Sequence, residues 1–353
     1  MFMPRYVFPT YNIAKQDFKG HQLKALRKLD SLKPQIQLIC EIRDIRAPLS
    51  TRNVLIDKII DKRFHEKLVI YTRKDLMTHN PEYLQKLSAW HEQIGENYIM
   101  INSKRAPDVA NVLKTLQWYK KKYHDNLDGI PPPMGYKVLV SGMPNVGKST
   151  LINSLRYLGS DANRGKKVAR TGAEAGITRS TSELIRIGAA HDQLYLIDTP
   201  GIGLPGRLNV GNKMIVLSLC GCIKQGVIDP IIEADYLLFL MNLQRGATER
   251  SSFLQWYPAI GERPSNDIYE VLERMRKNRK STLEDLARSW IQRTILSHDL
   301  IFDKELLLPA DDFSFRDYVR NEVASSASFG MSTENTRRTT RQNDSSLFRK
   351  HIQ

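Results

Sequence analysis

Short apolar runs alternate, along the first 200 residues, with longer segments in which apolar positions recur every three or four residues. This alternation is typical of buried strands separated by amphipathic helices. The helical spacing is clearest in 81–95 and 106–124. The pattern predicts six strands, namely IQLICEI (36–42), KLVIY (67–71), NYIMI (97–101), YKVLVSG (136–142), SELIRIG (182–188) and QLYLID (193–198).

Strands and helices in this order predict a mostly parallel, doubly wound α/β sheet that binds its ligand at the carboxyl ends of the strands. After residue 205 the pattern becomes helical and basic, and the apolar run 233–243 is assigned to a core helix of that region. The predicted organisation is an N-terminal extension (1–17), a sheet domain (18–205) with two halves (18–124 and 136–205) joined by a proline-rich linker (125–135), a basic helical domain (206–322) and a disordered tail (323–353).

Charge and cysteine content narrow the partners and the compartment. The net charge of +15 favours polyanionic partners such as RNA or an anionic membrane surface. Three cysteines are too few for a disulfide framework, so a reducing compartment is expected. No run of 18 apolar residues predicts a membrane-spanning helix. The basic N-terminus is equally typical of an organelle targeting segment and of an ordinary basic terminus.

GMPNVGKST (142–150) has the spacing of a phosphate-binding loop, and it lies between a predicted strand and a predicted helix. Backbone N–H groups and the helix N-terminus hold phosphates in such loops. Lys148 would reach the terminal phosphates and contribute to catalysis, and the Ser149 hydroxyl would ligate Mg²⁺. A plain glycine turn would not need both side chains. The predicted nucleotide contacts in this loop are Asn145, Val146, Gly147, Lys148, Ser149 and Thr150.

A second phosphate-side motif, LIDTPG (196–201), ends the last predicted strand. Asp198 is predicted to hold Mg²⁺ as a Walker-B carboxylate, and Gly201 is predicted to bring its N–H close to a γ-phosphate. Between the two motifs lies TGAEAGITRST, a polar loop of a kind that can order over a nucleotide. Thr178 is its best candidate for contacting Mg²⁺ and the γ-phosphate, and Thr181 is the alternative.

The DTPG motif indicates a guanine nucleotide, whose base needs a carboxylate to accept from its N1–H and N2–H₂ groups. Nothing suitable follows DTPG, but the strand at 67–71 ends in Thr72-Arg73-Lys74-Asp75. Asp75 stands where the guanine carboxylate is expected. The stem of Arg73 can cover the base plane, a role that lysine usually fills.

One strand later, Asn102-Ser103-Lys104 stands where a loop would donate a backbone N–H to the guanine oxygen. Each match alone is weak, but both follow predicted strands. Together they supply the base-reading half of a GTPase ahead of the phosphate half, so the chain order is circularly permuted.

These motifs resemble the circularly permuted GTPases of the RbgA/YlqF type. The resemblance covers about residues 18–320 and is carried by FKGHQLKA (18–25), RDIRAPLSTRN (43–53), TRKD, GMPNVGKST and DTPG. The first two stretches match the family patterns FPGHMxKA and DARxPxSSRN at the family's own separation. This chain departs from the family at Lys19 for proline, at Ile45 for alanine, and at TRKD for NKxD.

The resemblance, which is to fungal mitochondrial members, implies a Mg²⁺-dependent GTP-hydrolysing factor that assembles the mitochondrial large ribosomal subunit. It implies a monomer that binds ribosomal RNA rather than DNA in its GTP state, is stimulated by the ribosomal partner, and acts in the matrix or on the matrix face of the inner membrane. The family carries an RNA-contacting helical domain where this chain has the basic segment 271–281. A charge run is otherwise more often a solvated face.

The water-orienting group is the open question of the mechanism. Ile202 follows DTPG, where many GTPases have glutamine, and an apolar side chain cannot orient water. The resemblance implies His21 as the substitute, whereas a lone histidine is otherwise more often a surface or capping residue. Asn145 matches an asparagine of GTPases that bind K⁺ near the phosphates, and the alternative is a plain loop residue. A nucleotide-gated RNA or membrane-surface binding module with little turnover is the second function class.

Overall fold

The computed structural model describes residues 2–13, 27, 29–61, 63–77, 80–127, 134–159, 184–188, 192–204, 211–244, 264–276, 281–307 and 313–327. The strands are β1 (Leu38–Asp44), β2 (Glu66–Thr72), β3 (Asn97–Met100), β4 (Tyr136–Gly142), β5 (Leu184–Ile187) and β6 (Leu194–Asp198). The helices are α1 (Val54–Ile59), α2 (Pro81–Ile94), α3 (Ala106–Asp125), α4 (Lys148–Gly159), α5 (Lys213–Leu219), α6 (Pro230–Gln244), α7 (Ile268–Met275), α8 (Leu283–Thr294) and α9 (Phe315–Ala327).

The six strands form one sheet in the order β3-β2-β1-β4-β6-β5. Neighbouring strands are parallel except for the antiparallel pair of β5 and β6. β1 and β4 are buried along their whole length. Strands covered on both faces read as continuous apolar runs, which explains why their positions were predictable. The six predicted strands and the mostly parallel, doubly wound sheet are confirmed.

The order of the strands reverses beside β4. The chain lays β2 and β3 on one side of β1, and then β4, β6 and β5 on the other. Ligands of doubly wound sheets bind outside the carboxyl ends of the strands at such a reversal. The first three strands therefore build one half of the sheet before the phosphate-loop strand β4 is reached, in agreement with the predicted circular permutation.

Two faces of the sheet carry separate apolar clusters, because successive side chains of a strand point to opposite faces. Leu38, Cys40 and Ile42 of β1 pack with α3 and α4, and the same cluster continues into α5, α6, α7 and α8. Ile39 lies on the opposite face with α1. On that face Val69 and Tyr71 of β2 pack with α2 and α9. The helical region after 205 thus shares a continuous core with the sheet.

The N-terminal segment 2–13 packs against the helical region. Phe8 is buried, with its ring centroid 4.9 Å from that of Tyr236 and 5.4 Å from that of Phe239. Arg5 forms an ion pair of 2.6 Å with Asp235. This part of the predicted extension 1–17 therefore contributes to the core, and a targeting role for the extension stays a prediction.

Helix α9 continues to Ala327, past the boundary predicted at 322. Glu322 forms ion pairs with Arg52 and with Lys213, and Lys58 donates a hydrogen bond to the carbonyl of Ser326. The disordered tail predicted from 323 is wrong in its first residues, because these stabilising partners are distant in sequence and leave no local compositional signal.

No helix among the described residues has the length and apolarity needed to cross a membrane. Cys40, Cys220 and Cys222 are buried free thiols. The run predicted as a core helix at 233–243 lies within α6, which is buried on nearly all sides.

Candidate nucleotide-binding site

The phosphate loop joins β4 to α4, in the strand, loop and helix order that its sequence predicts. Gly142 has φ +151°, and a Cβ there would lie 2.4 Å from the carbonyl oxygen of Ile42. Asn145 and Gly147 have φ of 60° and 100°. Glycine is favoured at such values because it has no Cβ, and asparagine tolerates the left-handed region better than most residues. The loop therefore lies tightly against β1, with Lys148 at the first position of α4.

Lys148 folds back over the loop that precedes it. Its Nζ donates to the carbonyl oxygens of Gly142 (3.2 Å) and Met143 (2.6 Å). Burial lowers the pKa of Lys148 to about 8, although the nearby carboxylate of Asp198 acts in the opposite direction. Phosphate oxygens beside the ammonium would favour its charged form. This lysine is suited to recognising an anion held by the loop.

Asp198 ends β6 beside the phosphate loop and is 1% exposed. Its Oδ1 is buried and has no hydrogen-bond partner among the described residues. Burial raises the pKa of Asp198 to about 6, while Lys148 and the backbone N–H of Thr199 act against that rise. A divalent cation would supply the missing partner of Oδ1 and favour the ionised form.

The residues present fit Mg²⁺ rather than a metal held by protein side chains alone. The part of the chain that the structure describes contains no group of three or more His, Cys, Asp or Glu side chains placed to hold a metal. Mg²⁺ usually takes one or two protein ligands together with waters and substrate phosphates. Asp198 and the half-buried Ser149, the second residue of α4, are of the types that such a site uses.

The DTPG turn is held directly against the phosphate loop. A Cβ on Gly201 would lie 2.6 Å from the Cα of Pro144, so the approach of the two loops requires glycine. The N–H of Ile202 donates to the carbonyl of Gly142 at 3.1 Å. The side chain of Ile202 is fully buried with Ile39, Leu139 and other apolar residues. Ile202 therefore serves the core and presents no group that could orient water.

The strand end that is predicted to read guanine also contacts the phosphate loop. The hydroxyl of Thr72 donates to the carbonyl of Val146 at 2.6 Å. Arg73 adopts left-handed backbone angles (φ 62°, ψ 32°), and its guanidinium donates to the carbonyl of Asn145 at 3.0 Å. Lys74 and Asp75 begin a 3₁₀ turn (Lys74–Leu76), and both side chains are exposed. The structure thus brings the TRKD stretch and the phosphate loop into one site.

The loop after β3 completes this edge of the sheet. The N–H of Lys74 donates to the carbonyl of Ile101 at 3.0 Å, so the TRKD turn and this loop are adjacent. The Asn102 side chain accepts from the N–H of Lys104 at 2.9 Å and shapes the turn. The carbonyl of Ser103 accepts from the Ser154 hydroxyl of α4 at 2.8 Å. The predicted base-side loop is therefore tied to the helix that follows the phosphate loop.

Asn145 makes a contact that bears on the predicted K⁺ site. Its side-chain amide donates to the carbonyl of Gly221 at 3.1 Å, in the turn after α5. The side chain thus connects the phosphate loop to that turn, and K⁺ binding stays a prediction. His21, Thr178 and its alternative Thr181 lie outside the described residues.

Asp44 is a charged residue that the structure places beside the site. The sequence motifs did not single it out. Asp44 ends β1 and accepts from the guanidiniums of Arg46 (2.8 Å) and Arg73 (2.8 Å). Burial disfavours the Asp44 carboxylate, but the two arginines outweigh burial and hold its pKa well below the usual range. Asp44 thereby fixes the arginine that reaches the phosphate loop.

The stretch 43–53 connects the site to the rest of the molecule. Arg46 donates to the carbonyl of Ile295 after α8, and its guanidinium carbon lies 4.6 Å from the ring centroid of Phe302. The Asn53 side chain donates to the carbonyl of Ile202 at 2.6 Å. Buried Asp303 accepts from the N–H of Leu49 at 2.7 Å, and burial raises its pKa to about 7. A signal existed in the run of charged residues at the end of a buried strand and directly after it, but partners of this stretch lie up to 270 residues away in the chain.

Comparisons with known proteins agree with this site. A family described as 50S ribosome-binding GTPase matches residues 137–281. The chain is 49% identical over 333 residues to mitochondrial GTPase 1 of Saccharomyces cerevisiae, covering 91% of this chain and 89% of that protein. It is 31% identical over 228 residues to mitochondrial ribosome-associated GTPase 1 of Mus musculus, covering 64% of this chain and 66% of that protein.

A bacterial relative extends the likeness beyond mitochondria. The chain is 31% identical over 216 residues to ribosome biogenesis GTPase A of Bacillus pumilus, covering 61% of this chain and 70% of that protein. The likeness to the yeast protein spans nearly the whole of both chains. The chain therefore belongs to the family of circularly permuted GTPases that includes mitochondrial GTPase 1 and ribosome biogenesis GTPase A, and it is a GTP-hydrolysing enzyme.

Proposed function

We propose that this GTPase assembles the mitochondrial large ribosomal subunit, binding ribosomal RNA in its GTP state and leaving after hydrolysis. The observation that carries the proposal is a continuous polar connection between the phosphate loop and the helical region. Arg73 contacts the carbonyl of Asn145, Asp44 holds Arg73 and Arg46, and Arg46 contacts the carbonyl of Ile295. A nucleotide-dependent shift of Arg73 would therefore change the position of Arg46 and its contact beside α8.

Each half of the site has a proposed task. Asp75 accepts from guanine, with the stem of Arg73 over the base and the loop at Asn102 and Ser103 beside the guanine oxygen. Phosphates are held by the loop 145–150, by Lys148 and by the N–H of Gly201. Ser149, Asp198 and Thr178 would hold Mg²⁺, which would supply positive charge to neutralise the charge that develops on the phosphates.

The attacking water needs a group from elsewhere in the molecule or its partner, since Ile202 is buried. We assign this task to His21, with the ribosomal partner stimulating turnover. The support is the match of 18–25 to the family pattern. K⁺ beside Asn145 would offset charge in the transition state, as an arginine finger does in other GTPases.

The basic helical region 206–322 is proposed to bind RNA, in a monomer that acts in the mitochondrial matrix or on the matrix face of the inner membrane. Names of relatives support the compartment, because two are called mitochondrial. In the described part of the segment 271–281, Arg276 pairs with Glu273 at 3.0 Å and Arg274 pairs with Glu270. Exposed pairs of this kind are worth little and can be exchanged for phosphate contacts. Lys277, Arg279 and Lys280 lie outside the described residues.

Co-sedimentation with large-subunit precursors from mitochondria tests the proposal. The protein should sediment with the precursors in the presence of a non-hydrolysable GTP analogue and be released with GDP. Lys148→Ala, which weakens phosphate binding, should lose the effect of the analogue. Equal sedimentation with GDP and with the analogue would contradict nucleotide-dependent assembly.

Burial of Ile202 supports one alternative, a nucleotide-gated RNA or membrane-surface binding module with little turnover. Single-turnover hydrolysis, measured with and without large subunits, separates the two functions. A factor that leaves after hydrolysis should be accelerated by the subunits, whereas a gated module should remain slow in both conditions.

A further inference from the structure

Helix α3 carries an exposed tryptophan among lysines on the face that points to solvent. Trp118 is 55% exposed, whereas Trp90 and Trp290, the other tryptophans that the structure describes, are 4% and 2% exposed. Lys114, Lys121 and Lys122 are also exposed. Their spacing from Trp118, four residues before and three and four residues after, places all four side chains on one side of the helix. We call these four residues the Trp118 face.

The other side of α3 is fixed in the core. Val109, Val112, Leu116 and Tyr119 are buried in the cluster that joins the helix to the sheet and to α4. The ring of Tyr119 meets that of Trp118 edge-on at 5.0 Å, and the Lys122 ammonium lies 5.4 Å from the centroid of the Trp118 ring. The indole is therefore supported from two sides while a large part of it remains accessible.

Lysines of this face are available to an anionic partner. Lys114 and Lys121 form no ion pair with any other described residue, while Lys122 pairs with Glu66 at 2.8 Å. Both partners of that pair are more than a third exposed, so the pair is weak and exchangeable. Asp125 follows one turn further along. Three cations around one aromatic ring match a nucleic-acid strand, whose phosphates need cations and whose unpaired bases stack on aromatic rings.

We propose that the Trp118 face binds an unpaired segment of RNA, with a base stacked on Trp118 and neighbouring phosphates near Lys114 and Lys121. The inference rests on the proposed RNA-binding function, and it adds a contact surface on the sheet domain to the proposed helical one. A membrane fits less well, since a helix that lies in a bilayer surface needs its apolar side free. The apolar side of α3 is buried, and a single indole remains outside.

The test uses the full chain with a GTP analogue and a fluorescent 12-nucleotide single-stranded RNA of mixed sequence. Trp118→Ala should weaken binding of the single strand roughly tenfold, and Trp118→Phe should retain most of the affinity, because stacking needs an aromatic ring. Binding of the same sequence as a duplex should not change with Trp118→Ala. Phe64→Ala is the matched control, since Phe64 is 67% exposed and lies next to the guanidinium of Arg63.

Charge gives a second and independent readout. The double variant Lys114→Gln and Lys121→Gln should flatten the dependence of log affinity on log salt by roughly 1.4, about 0.7 for each lost phosphate contact to a single strand. Arg320→Gln should leave the slope unchanged, because exposed Arg320 lies on α9, across the sheet from α3. Quenching of tryptophan fluorescence by the RNA should fall in Trp118→Phe.

Several outcomes would overturn the inference. Trp118→Ala binding within twofold of the unaltered chain, or an equal loss in Phe64→Ala, would remove the Trp118 face from RNA binding. Trp118-dependent binding to vesicles of anionic lipid without any to RNA would assign the face to a membrane. Large-subunit sedimentation separates this inference from the proposed function. If the unaltered chain and Trp118→Ala sediment equally with large subunits, only the inference about the Trp118 face fails. If the unaltered chain does not sediment with them, both the inference and the proposed function are contradicted.

Discussion

Two aspartates flank the phosphate-loop strand and show how partners decide the chemistry of a buried charge. Asp44 ends β1 and Asp198 ends β6, and both strands pair with β4. Both side chains are buried, which by itself raises the pKa of a carboxyl group. Two arginines hold the pKa of Asp44 far below its usual range, whereas the pKa of Asp198 is raised to about 6 and its Oδ1 has no described partner. Asp44 is equipped to position arginines, and Asp198 is equipped to receive a cation.

The largest expected difference is in stability. Asp44→Asn would leave Arg46 and Arg73 without their carboxylate, and breaking a buried ion pair in this way costs about 3–5 kcal/mol. Asp198→Asn removes a desolvated carboxylate and should leave the nucleotide-free protein as stable as before or more stable at pH 7. Urea unfolding of both variants measures the contrast. Equal losses of unfolding free energy would contradict the different roles of the two aspartates.

Hydrolysis should depend on the phosphate-loop residues that lie next to Asp198. Lys148→Ala removes the buried ammonium at the phosphate loop and should lower kcat by roughly 10²–10³-fold, as loss of a charge-stabilising donor does. Ser149→Asn removes the hydroxyl that is predicted to ligate Mg²⁺ and should abolish Mg²⁺-dependent hydrolysis. Both variants should keep the circular dichroism spectrum of the unaltered chain. Near-normal turnover in either would make the loop a structural turn.

The pH dependence of stability sharpens the same contrast. The pKa of Asp198 is about 6 in the folded chain and about 4 when unfolded, so the folded state binds more protons between these values. Its contribution to stability is present below about pH 4 and is lost as pH rises through about 6, an effect of about 2–3 kcal/mol. Asp303, with a pKa of about 7, acts in the same direction. Subtracting the pH profile of Asp198→Asn from that of the unaltered chain isolates the Asp198 term, and Mg²⁺ with a GTP analogue should reduce it.

Much of the fold could be predicted from the sequence, because the signals for it lie in short contiguous stretches of the chain. Buried parallel strands are short apolar runs, and the phosphate loop and DTPG are contiguous motifs, so each carries its own signal. The contacts of Asp44 with Arg73, and of Asp303 with Ser50, join residues far apart in the chain. Such pairings leave no periodic pattern, and the final turn of α9 was missed for the same reason. A resemblance to family patterns marked 43–53 as a signature without showing what it contacts.

Replacing the residue that is proposed to orient the water should have a smaller but more selective effect on hydrolysis. Neither aspartate can replace the water-orienting glutamine that many GTPases have at the position of Ile202. Asp44 is paired with two arginines, and Asp198 is proposed to hold the metal. His21→Ala should lower kcat by roughly 10²-fold with little change in GTP affinity, mainly when large subunits are present. Stimulated turnover within threefold of the unaltered chain would exclude His21 and leave a ribosomal group or a cation beside Asn145.

Nucleotide competition tests the central claim most directly, because it asks whether a strand end that precedes the phosphate loop reads the base of the bound nucleotide. Binding of GTP and of xanthosine triphosphate should be compared in the unaltered chain and in Asp75→Asn. Asp75 is proposed to accept both guanine donors, so the substitution should reduce the preference for GTP by roughly two orders of magnitude and leave phosphate binding intact. An unchanged preference for GTP would contradict the permuted guanine site.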